Sequence, residues 1–175
     1  PTYVFSYAGF LDSVFDANGI FRFCEFVQQS SVLSPQNTSV ILYGSGLAHE
    51  RLSNLYCFVH NRFSPKHTMI EEMTDSRGFG LYPSSPSFPF NQILGNKVFD
   101  YSLALTPIFS IGSVCEVSRF VEHNSFGLHL NLLDPMLTVD DFDNTIKLLI
   151  KNQCLYRQEM LQADFTSDMI YAQMF

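Results

Sequence analysis

Tryptophan is absent from this chain of 175 residues, and charged residues make up only 15% of it. Its four cysteines show no Cys-x-x-Cys spacing, so reduced and buried thiols in a cytosolic compartment are expected. No apolar run approaches the roughly 18 residues that a membrane span needs, and no basic segment followed by an apolar signal core opens the chain. These absences predict a soluble, cytoplasmic protein.

The chain is rich in apolar residues, which make up 46% of it and include 18 phenylalanines. This composition is typical of a folded globular protein rather than a disordered one. A length of 175 residues suits one domain with a sizeable core. Ten basic against 17 acidic residues give a formal net charge of −7, which argues against a nucleic-acid partner.

Short apolar runs alternate along the chain with segments of helical period. The runs predict strands at 3–8, 40–43, 56–59, 79–82, 107–110 and 126–130. Four helical faces lie between or after them: Ile20, Phe23, Cys24 and Val27; Met69, Ile70 and Met73; Val114, Val117 and Val121; Phe142, Ile146, Leu149 and Ile150. The pattern predicts an α/β fold, a parallel sheet of about six strands covered by helices on both faces.

Small or polar residues follow most of the predicted strands. They are Gly9, Gly44-Ser45-Gly46, His60-Asn61, Ser84-Ser85 and Gly112-Ser113. The carboxyl edge of an open doubly wound sheet is where ligands bind, and glycines let the backbone approach a diphosphate while hydroxyls donate to it. The alternative is that these residues only make turns.

Segment 95–108 predicts a short amphipathic helix that starts at Asn96 and ends before a new apolar run. Lys97 falls in the first turn, where unpaired N–H groups and the helix dipole favour an anion. Asp100, one turn later, can accept hydrogen bonds from the vicinal hydroxyls of a ribose. Together they suit a phosphorylated sugar, although an ordinary solvated Lys/Asp pair is the alternative.

Four stretches stand in a fixed order. They are Tyr-Ala-Gly-Phe-Leu at 7–11 with Asn-Gly-Ile at 18–20; Val-Ile-Leu-Tyr-Gly-Ser-Gly at 40–46 with His-Glu-Arg-Leu at 49–52; Gly-Leu-Tyr-Pro-Ser at 80–84; and Asn-Lys-Val-Phe-Asp-Tyr at 96–101 leading to Thr-Pro-Ile at 106–108. In this order and spacing the chain resembles the nucleotide-sugar-binding, C-terminal half of GT-B glycosyltransferases of the kind grouped in glycosyltransferase family 4.

The resemblance implies a Rossmann-like three-layer domain over residues 1–175 that binds a UDP- or GDP-sugar and transfers the sugar to a polysaccharide or lipid-linked glycan. No metal or other cofactor is implied. The implied binding residues are Gly9, Gly44, Gly46, His60, Asn61, Ser84, Asn96, Lys97 and Asp100. Among them the glycines would line the diphosphate, His60 and Asn61 would begin the loop that meets the base, Asp100 would hold the ribose, and Lys97 would stabilise the departing diphosphate as the catalytic cation.

The resemblance also implies a second, N-terminal acceptor domain outside this chain, which begins with Pro1 and enters a strand almost at once. We expect an apolar wall that includes Phe10, Phe88 and Phe90 to face that domain, and a helix over 164–175 to pack near it. The isolated domain is expected to be inactive. Peripheral association of the full enzyme with the inner face of a membrane, through the absent half, stands as an alternative to a purely cytoplasmic protein.

The chain departs from the family pattern in three places. Relatives often carry a cation after the first glycine and another before the next, where this chain has Phe10-Leu11 and Ala17-Asn18. A frequent carboxylate eight positions before the ribose-binding one falls on Gln92. These departures keep open a second interpretation, a non-catalytic nucleotide- or sugar-binding module of the same fold.

A few other motifs have plainer interpretations. Asp141-Phe142-Asp143 has the form of a Mn²⁺-binding motif, but Thr138 and Asp141 have capping-box spacing and predict a helix N-terminus. The prolines at 83, 86 and 89 have the spacing of an SH3 ligand but lack basic neighbours, which favours a shaped loop. The five histidines show no metal-binding spacing.

Overall fold

The computed structural model describes residues 2–11, 14–84 and 95–163, and these contain six strands and seven helices. The strands are β1 (Tyr3–Ala8), β2 (Thr38–Tyr43), β3 (Val59–Arg62), β4 (Phe79–Ser84), β5 (Ile108–Gly112) and β6 (Gly127–Leu130). The helices are α1 (Val14–Gln29), α2 (Leu47–Leu55), α3 (Lys66–Ser76), α4 (Asn96–Leu103), α5 (Glu116–His123), α6 (Val139–Lys151) and α7 (Gln153–Gln162).

The six strands form one parallel sheet in the order β3-β2-β1-β4-β5-β6. This is the order of a doubly wound Rossmann-like sheet, so the predicted fold class is confirmed. From β1 to β3 each new strand is added on one side of β1, and from β4 to β6 each is added on the other side, so the strand order switches between β1 and β4. These two strands pair at Phe5–Phe79 and Ser6–Gly80, whereas β1 and β2 stay in register over all six residues of each strand. The sheet therefore has its crevice between β1 and β4.

Two buried clusters cover the two faces of the sheet. One joins α1 and α6 to the strands, with the Phe23 ring packed edge-on or tilted against Phe5, Phe109 and Phe142. The other lies under α3, α4 and α5 and contains Tyr101. Neighbouring residues of one strand enter opposite clusters because successive side chains of a strand point to opposite faces. The faces predicted for α1, α3 and α6 pack on the core, with Ile70 and Ile150 half-buried and the other residues of these faces buried. On α5, Val117 and Val121 are buried, whereas Val114 precedes the helix and is exposed.

The Asp-x-Asp segment has structural partners at both carboxylates. Thr138 caps α6, since its hydroxyl oxygen accepts from the Asp141 amide at 3.2 Å and the Asp141 carboxylate accepts from the Thr138 amide at 3.1 Å. Asp143 is buried and accepts from the Ser31 amide at 2.9 Å and from the hydroxyls of Ser30 and Ser31. The predicted cap is confirmed, and Asp143 fastens the end of α1 to α6.

Two expectations need correction. Strand β3 begins at Val59, three residues after the predicted start, because Tyr56 ends α2 by donating its amide to the Leu52 carbonyl at 3.0 Å. His60 and Asn61 consequently lie within the edge strand and not after it. Of the four cysteines, Cys24 and Cys115 are buried as expected, but Cys57 and Cys154 are exposed.

In the described parts of the chain, no helix has the length and apolarity needed to cross a membrane. Phe88, Phe90, Gln92, the prolines at 86 and 89, and the expected helix over 164–175 lie outside the described residues.

Candidate functional site

A cavity of about 510 Å³ lies at the carboxyl edge of the sheet, beside the β1–β4 crevice. This volume falls in the range of small-molecule sites. Its walls come from the ends of β1 and β2, the segment after β3, and the starts of α3 and α4. The lining residues are Ala8, Gly9, Tyr43, Gly44, Phe63, Ser64, Lys66, Met69, Asn96, Lys97 and Asp100.

Gly9 and Gly44 form the floor where the ends of β1 and β2 meet. The Gly9 amide donates to the Tyr43 carbonyl at 2.8 Å, and both glycines have positive φ angles, 146° and 131°. A Cβ atom on Gly44 would collide with the Gly9 carbonyl oxygen, and one on Gly9 would lie 2.6 Å from Lys97 Cε. Only glycine fits this floor, since a Cβ atom at either position would collide with neighbouring protein atoms. The bare backbone also permits close approach by a phosphate.

Two buried side chains brace the Gly9 turn from below. The hydroxyl of Tyr7 donates to the Phe10 carbonyl at 3.3 Å, and His49 Nε2 lies 3.1 Å from the Gly9 carbonyl oxygen. His49 comes from α2 and is buried. A contact at this distance makes Nε2 the protonated, donating nitrogen of the ring, because a carbonyl oxygen can only accept.

Lys97 extends from the first turn of α4 across the Gly9 turn. Its ammonium lies 5.1 Å from the centroid of the Tyr7 ring and 5.8 Å from that of Tyr82. Aromatic rings at this distance stabilise a cation and restrict its position. The ammonium is therefore held directly above the glycine floor.

Tyr101 fastens α4 to the crevice in the sheet. Its buried hydroxyl accepts from the Ala8 amide at 3.2 Å and donates to the Leu81 carbonyl at 2.8 Å, with the Ser6 carbonyl at 3.3 Å. These are backbone groups of β1 and β4 where the two strands cease to pair. Gly80 permits the contact, because a Cβ atom there would lie 2.7 Å from the Tyr101 ring. Burial raises the pKa of Tyr101 well above its usual range, so the hydroxyl keeps its proton.

Two helix N-termini converge on the cavity. The residues before α3 and α4 are Pro65 and Gly95, neither of which has a side-chain oxygen to accept from the first-turn amides. Each helix carries a lysine at its first or second position, Lys66 and Lys97. The positive ends of two helix dipoles and two ammonium groups thus face the same space, an arrangement that favours an anionic ligand.

Asp100 is the one carboxylate among the described residues that line the cavity. Its Oδ1 lies 2.7 Å from the Lys66 ammonium, and only 14% of its side chain is exposed. A carboxylate has further acceptor positions on both oxygens, so this pairing still leaves capacity for ligand hydroxyls.

The wall on the β2 side is fixed by a chain of charged and polar groups. Arg62 lies 3.0 Å from Glu72, and Glu72 hydrogen-bonds the Tyr43 hydroxyl. Burial and this bond raise the pKa of Tyr43, while the bond from Arg62 lowers the pKa of Glu72. Tyr43, which lines the cavity, therefore keeps its phenol proton.

The structure brings together five of the nine predicted binding residues. Gly9, Gly44, Asn96, Lys97 and Asp100 all line the cavity.

The other four lie outside the lining set. Gly46 precedes α2, and His60 and Asn61 are exposed on edge strand β3, where the Asn61 amide donates to Ser53 at 2.9 Å. Ser84 is 2% exposed, and its hydroxyl lies 2.6 Å from the Ser113 carbonyl oxygen. It joins the ends of β4 and β5 and does not point into the cavity.

Sequence reasoning missed Lys66, Phe63 and the fastening role of Tyr101. Lys66 has the same signal as Lys97, a lysine at the start of a helix that follows a strand. Because the strand was predicted to end at residue 59 and not at Arg62, Lys66 was not placed near the carboxyl edge of the sheet. Phe63 and Tyr101 carry no local signal, because an exposed and a buried aromatic residue look alike in a sequence.

No protein-family model matches the sequence, and no curated protein matches it significantly. Solved structures match its fold. WaaG, a glycosyltransferase involved in lipopolysaccharide biosynthesis, has a TM-score of 0.64 at 14% identity and covers 95% of this chain and 44% of its own. A TarM variant from S. aureus, in complex with fondaparinux, α-GlcNAc-glycerol and UDP, has a TM-score of 0.65 at 12% identity, covering 98% and 34%.

The catalytic domain of the cholesterol-α-glucosyltransferase of Helicobacter pylori has a TM-score of 0.59 at 12% identity, covering 92% of this chain and 99% of its own. The chain thus has the Rossmann-like fold found in GT-B glycosyltransferases, as the sequence resemblance implied. It spans less than half the length of WaaG and of the TarM variant.

Proposed function

We propose that this chain is the donor-binding domain of a glycosyltransferase and holds a UDP- or GDP-sugar in the cavity at its carboxyl edge. The observation that carries the proposal is the meeting of the glycine floor, the start of α4, Lys97 and Asp100 in one space. An anion at the start of α4 would accept hydrogen bonds from the first-turn amides and from the Lys97 ammonium. A ribose bound one helical turn further on would donate its hydroxyls to the Asp100 carboxylate. The UDP in the TarM variant complex is consistent with such a donor.

The chemistry of sugar transfer suits these groups. The bond between the anomeric carbon and the diphosphate breaks through an oxocarbenium-like state, and negative charge accumulates on the departing diphosphate. The acceptor oxygen bonds to the anomeric carbon and gives up its hydroxyl proton, and a base that took this proton would belong to the other domain. Amides and an ammonium held in place before the reaction stabilise that charge. Lys97 would be the residue that contacts the leaving group.

Phe63 offers a surface for the base. It is 88% exposed at the rim of the cavity, on the segment between β3 and α3. Its ring would stack on the flat face of a uracil or a guanine. Stacking of a base on an aromatic side chain tolerates any base and contributes about 1–3 kcal/mol per base in other proteins. The loop expected to meet the base then lies at Phe63 and Ser64, after His60 and Asn61.

We also propose that a second domain covers the cavity in the complete enzyme. Large apolar side chains stand exposed within four residues of strand ends at the carboxyl edge, among them Phe10, Leu47, Phe63 and Val114. Contact with another domain would remove these side chains from water and exclude water from the donor. The acceptor would bind between the two domains.

Titration of the full-length protein with UDP and with GDP tests the proposal, by calorimetry at constant ionic strength. Lys97→Met should lower the affinity for whichever of UDP and GDP binds more tightly about tenfold, equivalent to about 1.4 kcal/mol of binding free energy. The matched control is Lys151→Met, which removes an exposed lysine at the end of α6. Absence of binding by wild-type protein at millimolar UDP and GDP would end the proposal.

The second candidate is a nucleotide- or sugar-binding module without transferase activity. It is favoured by Phe10, which is 59% exposed directly after the Gly9 turn, where relatives often carry a cation for the leaving group. Assay of the full-length protein for transfer of a radiolabelled sugar separates the two candidates. Nucleotide binding with no sugar transferred to any acceptor would favour the module.

A further inference from the structure

The cavity holds two of the four lysines of the chain, in a protein whose formal net charge is −7. Lys97 was expected there and Lys66 was not. Both open helices of the same face, and both ammonium groups share the cavity with one carboxylate, Asp100. The second lysine therefore needs a function of its own.

The contact between Lys66 and Asp100 is close but exposed on one side. The two charged atoms are 2.7 Å apart, with 67% of the Lys66 side chain exposed against 14% of Asp100. A pair with one well-hydrated partner contributes little to stability, so it is easily exchanged for another ion pair. The ammonium of Lys66 sits on a flexible four-carbon stem, so it can move while Asp100 stays in place on α4.

A nucleoside diphosphate would compete for both members of this pair. Its ribose hydroxyls are donors that suit the Asp100 carboxylate, and its phosphate oxygens are acceptors that suit the Lys66 ammonium. One ligand can thus replace a single Lys–Asp contact by two charge-assisted contacts of its own. The exchange links recognition of the ribose to recognition of the diphosphate.

We propose that Lys66 is the second diphosphate-binding cation of this site, paired with Asp100 until the ribose takes over the carboxylate and the ammonium moves to the phosphates. The proposal rests on the function proposed above. It explains how the site reaches two positive charges although Phe10-Leu11 and Ala17-Asn18 occupy the positions where relatives often carry cations.

The test compares three probes: the tighter-binding of UDP and GDP, the corresponding nucleoside, and inorganic pyrophosphate. Each is titrated into full-length protein at constant ionic strength, for wild type, Lys66→Met, Lys66→Arg and the control Lys151→Met. We expect Lys66→Met to lower the affinity for the nucleoside diphosphate and for pyrophosphate about tenfold, and to change the affinity for the nucleoside less than twofold. Lys66→Arg should keep affinity within about threefold, and Lys151→Met should have no effect.

Two results would overturn the proposal in a protein that binds nucleotide. Unchanged or tighter binding of the diphosphate to Lys66→Met would show that Lys66 only neutralises Asp100. An equal loss for nucleoside and diphosphate would show that Lys66 supports the shape of the site instead of contacting phosphate.

Failure of the proposed function is distinguishable from failure of this inference. If wild-type protein binds neither UDP nor GDP, the proposed function fails, and pyrophosphate decides the role of Lys66. Pyrophosphate binding that weakens tenfold in Lys66→Met supports Lys66 as a phosphate-binding residue. No pyrophosphate binding, or binding that does not depend on Lys66, overturns it.

Discussion

Replacement of Tyr101 by phenylalanine tests whether one hydroxyl holds α4 to the sheet. In Tyr101→Phe the ring keeps its packing against Gly80, and only the oxygen is lost. That oxygen accepts from the Ala8 amide at 3.2 Å and donates to the Leu81 carbonyl at 2.8 Å. The variant therefore isolates the polar contacts of the crevice.

The expected cost follows from the partners that remain. A buried backbone group without a hydrogen bond costs about 1–3 kcal/mol, and this variant leaves an amide and a carbonyl in that state. Partial relief by the surrounding structure leads us to expect about 3 kcal/mol of lost stability. For a domain of this size, this corresponds to a melting temperature lower by about 6–12 °C.

Urea unfolding of the chain, followed by circular dichroism, measures the change. Tyr156→Phe is the matched control, since Tyr156 is also buried but, among the described residues, its hydroxyl accepts one long hydrogen bond, from the Asn152 side-chain amide at 3.5 Å. That variant should lose less than about 1 kcal/mol. The slope of free energy against urea should stay the same in both, because neither variant changes the surface exposed on unfolding.

Nucleotide titration adds a functional measurement. Because α4 carries Lys97 and Asp100, its release from the crevice should weaken UDP or GDP in Tyr101→Phe but not in Tyr156→Phe. A loss of stability below about 1 kcal/mol in Tyr101→Phe, equal to that of the control, would refute the fastening role.

Three further predictions concern the floor, the rim and the scaffold. Gly9→Ala places a Cβ atom 2.6 Å from Lys97 Cε at a φ angle of 146°, so it should displace the ammonium and weaken UDP or GDP at least tenfold by titration. Phe63→Ala should weaken the nucleotide about five- to fiftyfold through lost stacking while leaving pyrophosphate affinity unchanged, and an equal effect on both would contradict a base-binding role. Burial opposes ionisation of Asp143, but hydrogen bonds from Ser30 and Ser31 outweigh it and lower its pKa below the ordinary 3.8. Its stabilising effect is therefore present above about pH 4 and lost as pH falls through the folded-state pKa. Asp143→Asn should lose about 2 kcal/mol at pH 7 and flatten the acid limb of stability, measured by urea unfolding at pH 7, 5 and 3.

The inner strands could be predicted because they are apolar on both faces, and β1 was predicted at its observed bounds, 3–8. Edge strand β3 could not. Of its four residues only Val59 is buried, while the apolar run before it packs Tyr56 and Phe58 against the core at the end of α2. At the edge of a sheet, the residues that pair as a strand are not the residues that are buried. An apolar pattern in the sequence reports the buried residues, so it misplaced the edge strand.

Helices α2 and α7 escaped prediction for a related reason. In α2, Leu47 and Leu55 are exposed while His49 is buried, and in α7 the exposed Leu155 and Leu161 break the apolar face. The candidate site was predicted where chemistry follows local sequence, as with Gly9, Gly44 and the start of α4. Lys66 and Phe63 depend on which loop the fold brings alongside, which no short motif records.

The hydroxyl that bridges β1 and β4 also makes one amide an indicator of helix motion. The hydrogen on the Ala8 nitrogen is shielded by a side chain 93 positions later, not by a neighbouring strand. Its exchange with deuterium therefore requires α4 to detach, whereas the other amides of β1 face the neighbouring strands β2 and β4. A nucleotide that clamps α4 would slow this single exchange rate selectively, which would let mass spectrometry or NMR report ligand capture without a label.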